Sequence, residues 1–351
     1  MARSGFLTGK AVAPIVTGIL LAALVTGAAW RGGGFGFAGI DVTGFAAPAA
    51  IDGSLLLVRE DDDGSVELIA VRLADGETVA SVRLDRRPHR VVPTPGGVSA
   101  FVLWPESNAV TVFNTETLEI QRELELDAVR HATELSFSPT GERVYVVDSA
   151  GSEVVEYRHV RLELTESRRL ELAGSGPVLT NRRATRLYRV GQDAVHAYFA
   201  QTGDLVETYP VHIDGGMRFD AQYTALWGVA AAGDPVAIDE RTGQVRTPAT
   251  GAVARGVPAA GDRVAYLATD RRSVHLIDPR EPTRVEATVD LPAAADYLVA
   301  RGPTDLWAVT ADGAIVSIAG GRARPVRDAH TAGITDAVVA RIDRAGSFAC
   351  F

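Results

Sequence analysis

Residues Glu134 to Asp148 read E-L-S-F-S-P-T-G-E-R-V-Y-V-V-D. Leu135 and Phe137 alternate with serine, Ser138-Pro139-Thr140-Gly141 supplies turn chemistry, and Val144, Tyr145, Val146 and Val147 form a second β-rich run. The pattern predicts a β-hairpin. Laid along the chain as a template, it recurs at a nearly fixed distance, which marks a repeat architecture.

Each copy places an aromatic residue in its second strand: Trp104, Tyr145, Tyr188, Trp227, Tyr266, Trp307 and Phe348, at intervals of 41, 43, 39, 39, 41 and 41 residues. Third strands such as Val110 to Phe113, Ala194 to Phe199 and Val274 to Ile277 follow, then a turn, often Thr-Gly as at Thr202-Gly203 and Thr242-Gly243, and a fourth strand. Four short strands in about 41 residues describe a blade of a β-propeller. The recurring aromatics are read as fillers of the gaps between adjacent sheets.

Ahead of these copies, Leu55 to Val58, Val66 to Leu73 and Thr78 to Leu84 supply three strands joined by the turns Asp61-Asp62-Asp63-Gly64 and Ala74-Asp75-Gly76-Glu77. The expected fold is therefore all-β, a seven-bladed propeller in which Val338 to Ile342 returns as the innermost strand of the first blade. Closure by both termini leaves no open sheet edge along the ring. An eight-bladed count stays open, because Ser347 to Phe351 reads as a surplus strand.

Residues 11 to 30 form an uncharged apolar run behind Arg3 and Lys10, long enough for a helix of about 30 Å that crosses a bilayer. The same run has the layout of a signal peptide, with Gly27, Ala28 and Ala29 at a cleavage point. Residues 1 to 30 are thus a signal peptide or a transmembrane anchor, residues 31 to 46 a Gly-rich linker, and residues 47 to 351 the propeller. Both readings of the first segment make the chain extracytoplasmic, secreted or anchored in the cell membrane. Cys350 is the only cysteine, so no internal disulfide forms. The net charge is −9, from 35 basic and 44 acidic residues, without a basic cluster, which argues against nucleic acid as a partner.

S-F-S-P-T-G-E-R-V-Y-V-V-D at 136 to 148 resembles the YVTN-type propeller repeat, shared loosely with WD40-like and quinoprotein-like propellers, and V-F-N-T-E-T-L-E-I at 112 to 120 suits its second half. The likeness covers nearly everything after residue 47. The Trp-Asp and Gly-His pairs of WD40 repeats and the tryptophan docking motifs of quinone-dependent dehydrogenases are missing, so quinone chemistry finds no support.

In the propellers this chain resembles, loops entering the innermost strands converge on one face of the central channel. His89, His131 and His212 stand 15, 14 and 15 residues before Trp104, Tyr145 and Trp227, and His330 lies in the corresponding connection before Phe348. Glu134, Asp214, Asp296 and Asp336 follow at the same junctions. Imidazoles with a carboxylate suit Zn²⁺, which makes His89, His131, His212, His330, Glu134 and Asp214 a candidate metal set. Arg87, Arg90, Arg130 and Arg255 nearby suggest an anion site instead. Three functions follow: a non-catalytic module that binds a protein or small ligand on one face and is tethered by the N-terminal helix; a zinc-binding propeller similar to exported zinc chaperones; or a metal-dependent lyase or lactonase. In the last, His131 or His212 is the base and Glu134 or Asp214 a ligand.

Overall fold

The computed structural model describes residues 53 to 340 except 149–151, 215, 249–257, 261–262, 301–305 and 328–332. The apolar run, the linker, His330, Arg255 and Phe348 lie outside the described residues. Within them all regular structure is β, arranged as seven four-stranded antiparallel sheets.

The template hairpin forms as expected. Ala132–Phe137 and Arg143–Asp148 pair with Ser136 opposite Tyr145 and Phe137 opposite Val144. Gly141 closes the turn at φ 76°, a left-handed conformation that costs glycine nothing, and donates its N–H to the Ser138 carbonyl at 2.8 Å.

The innermost strands, in ring order, are Ile334–Ala340, Arg90–Pro93, Ala132–Phe137, Ser175–Thr180, Arg218–Phe219, Ala259–Ala260 and Tyr297–Ala300, defining blades 1 to 7. Blade 1 is composite: Ile334–Ala340 pairs with Ser54–Glu60, which continues into Val66–Arg72 and Thr78–Leu84. The ring therefore closes with seven blades. The closing strand starts four residues earlier than Val338, because the apolar pattern of I-T-D-A-V-V-A begins at Ile334.

No single central core exists; apolar side chains are buried between blades. In Ser99–Leu103 all five residues are buried. Ala100 and Val102 pack towards Leu56, Val58 and Leu68 of blade 1, whereas Phe101 and Leu103 pack towards Leu135, Val144 and Val146 of blade 3. Strand periodicity alone sends alternate residues into two different interfaces. Fully burying such side chains contributes about 2 kcal/mol each, so the blade interfaces carry the stability of a chain without an internal disulfide.

The aromatic series holds with one correction. Tyr145, Tyr188, Trp227, Tyr266 and Trp307 occupy second strands and are buried between blades. Trp104 instead follows the second strand of blade 2, and Phe101 takes the packing position. The stretch S-A-F-V-L-W carries two aromatics three apart, and the regular 41-residue spacing favoured the wrong one.

Candidate functional site at the channel mouth

The three histidines all lie in the connections that lead to inner strands. His89 and His131 stand immediately before the first paired residue of an inner strand, Arg90 opposite Leu103 and Ala132 opposite Asp148, whereas His212 precedes Ile213, which forms an isolated bridge to Ala230 ahead of the inner strand Arg218–Phe219. All three are exposed. His212 Nδ1 lies 3.7 Å from Asp193 in the turn between the second and third strands of blade 4. Among the described residues, however, no group of three His, Cys, Asp or Glu side chains comes together as a metal site would require. Connections on different blades of a ring are separate places in space, and blades 2, 3 and 5 are not consecutive.

The carboxylates are engaged differently. Glu134 accepts two hydrogen bonds from Arg90, Nη2 to Oε1 at 2.8 Å and Nε to Oε2 at 3.1 Å, a forked pair joining the inner strands of blades 2 and 3. The Glu134 side chain is 13% exposed. Asp336, on the inner strand of blade 1, accepts the Ala337 N–H at 2.8 Å. Burial raises its carboxyl pKa, an effect that this hydrogen bond and the nearby Arg90 and Arg87 only partly offset.

Tyr297 of blade 7 donates to the Ile334 carbonyl at 3.3 Å. Burial raises its phenol pKa, and the charges of Asp336 and Asp296 raise it further. Asp296 in turn pairs with Arg271 of blade 6 at 2.6 Å and accepts the Ala311 N–H at 2.7 Å. Asp214 donates its backbone N–H to the Val229 carbonyl, and Arg130 donates its own to Asp148. A chain of acidic and basic groups thus runs through blades 6, 7, 1, 2 and 3.

Arg218, on the inner strand of blade 5, stands across the ring from blades 1 and 2. Its side chain is exposed to solvent, yet desolvation by the surrounding protein lowers its pKa, with no charged neighbour contributing among the described residues. On the second strand of blade 4, Arg186–Val190, buried Arg189 donates to the carbonyls of Leu172 at 2.6 Å and Gly176 at 3.3 Å.

No protein-family model and no curated protein sequence matches the chain. Solved structures do match in fold. BamB from Moraxella catarrhalis aligns with a TM-score of 0.52 at 15% identity, over 80% of this chain and 84% of that one. A functionally unknown protein from Desulfotomaculum acetoxidans DSM 771 aligns with a TM-score of 0.60 at 9% identity, over 83% and 100%. A proposed 6-phosphogluconolactonase from Bacteroides fragilis NCTC 9343 aligns at 0.57 and 14%, over 82% and 98%. Identities this low show the fold alone: a seven-bladed propeller with neighbours of the BamB type.

Sequence reasoning singled out Arg90, Glu134, Asp296 and Asp336 but assigned Glu134 to a metal rather than to Arg90. It missed Arg218 and Tyr297, which begin inner strands without the junction spacing that marked the others.

Proposed function

We propose that the chain is an exported, membrane-anchored binding propeller whose channel mouth receives an acidic group of a ligand or partner protein without catalysing its reaction. One observation carries this reading: Arg218 lies exposed on the inner strand of blade 5 without an ion pair among the described residues, whereas Arg90 and Glu134 across the ring already satisfy each other. A guanidinium with reduced hydration and no counter-charge gains most from a carboxylate or phosphate, which it binds through two parallel hydrogen bonds. Export rests on the apolar run at residues 11 to 30.

The test is thermal unfolding and calorimetric titration of the full chain in detergent with citrate, succinate and inorganic phosphate as probes. At least one anion stabilises the wild type, and Arg218→Gln loses that stabilisation. Equal shifts in both proteins, or none in either, exclude the channel as an anion site. Turnover of a sugar lactone that disappears with His131→Ala or His212→Ala replaces binding by hydrolysis.

A further inference from the structure

Away from the channel, a groove of about 610 Å³ opens between blades 1 and 2. One side is the outermost strand of blade 1, Thr78–Leu84, whose ladder partner on its other side is the second strand, Val66–Arg72. The opposite side is formed by Ala109–Asn114 and Ile120–Glu125 of blade 2. Val82, Leu84 and Phe113 give it an apolar floor. Trp104 closes one end, held by a hydrogen bond from Nε1 to Thr111 Oγ1 at 2.8 Å and covered by the Arg86 guanidinium 5.3 Å from its ring centroid.

The charge of the lining is unbalanced. Asp85, Glu123 and Glu125 border the groove, and none forms an ion pair among the described residues. The three carboxylates outnumber the two arginines of the lining, Arg83 and Arg86, of which Arg86 lies over the Trp104 ring, and Arg122 on the same outer strand pairs with Glu163 of blade 3 at 2.8 Å. Ile120, 58% exposed, stands on the rim.

We infer that this groove binds an extended segment of a partner polypeptide in which basic and aliphatic side chains alternate. The volume is that of a ligand site rather than of a packing defect. The unpaired edge of Thr78–Leu84 offers backbone donors and acceptors in strand register, which an extended peptide satisfies. Alternation then places aliphatic side chains on the Val82, Leu84 and Phe113 floor and basic ones at Asp85, Glu123 and Glu125. This site is separate from the channel and does not depend on Arg218.

The test uses two fluorescein-labelled heptapeptides, one alternating leucine with lysine and one alternating leucine with glutamate, titrated against the full chain in detergent by anisotropy. The lysine peptide is expected to bind about tenfold or more tightly than the glutamate peptide. The variant carrying Glu123→Lys and Glu125→Lys, both on an exposed outer strand, should weaken the lysine peptide about tenfold and bind the glutamate peptide better. Trp104→Ala should also weaken the lysine peptide, and Arg218→Gln should not. Circular dichroism confirms that each variant is folded. Unchanged lysine-peptide binding in the double charge reversal means general attraction to an acidic protein and overturns the site. So does wild-type self-association that Glu123→Lys and Glu125→Lys abolish, which would make a second copy the occupant.

Discussion

Arg90 of blade 2 grips Glu134 of blade 3 through both arms of its guanidinium, at 2.8 and 3.1 Å, so the pair spans an interface between two sheets instead of bracing one. Half of the Arg90 side chain meets solvent, which screens the attraction. A double-mutant cycle with Arg90→Ala and Glu134→Ala should give a coupling of about 1 kcal/mol in urea unfolding. The coupling should shrink as salt is added.

Asp336 should respond to pH in the opposite sense from a paired carboxylate. Its folded pKa lies above the ordinary 3.8 because burial disfavours the charge. Between the unfolded value and this raised value the folded chain holds more protons than the unfolded one, so stability falls as pH rises through that window. Asp336→Asn should match the wild type near pH 3 and exceed it at pH 7, measured by urea unfolding at each pH.

Two tryptophans should behave differently despite their equal place in the repeat spacing. Trp227 is fully buried between blades 5 and 6, and Trp227→Ala should cost about 3–5 kcal/mol. Trp104 is only half-buried beyond its strand, and Trp104→Ala should cost about 1 kcal/mol or less. Denaturant midpoints compare them directly.

The histidines yield a prediction about Zn²⁺. Because His89, His131 and His212 meet no complete donor set among the described residues, titration against a competing chelator should reveal no stoichiometric site that disappears with His89→Ala, His131→Ala and His212→Ala together. A site lost with those substitutions would show that the loops rearrange around the ion.

The fold was readable because each blade is local. A glycine turn, two apolar runs and a packing aromatic lie within a few tens of residues, and closure needed only one further apolar run, Ile334–Ala340. The channel chemistry was not local. Arg90 and Glu134 are 44 positions apart, and whether they pair depends on the angle between two blades, which no spacing records. The junction rule marked the connections that hold His89, His131 and His212. It did not give their separation around the ring.

The composite first blade also sets an order of events. Val58 meets Thr335, 277 positions further along, where the Thr335 hydroxyl donates to the Val58 carbonyl at 3.4 Å. A chain that emerges amino end first must therefore hold Ser54–Glu60 in waiting, with one side of its ladder open, until almost the whole polypeptide has appeared. During synthesis the protein is an unclasped necklace, and a holding factor that shields this strand would have its greatest effect before the last blade arrives.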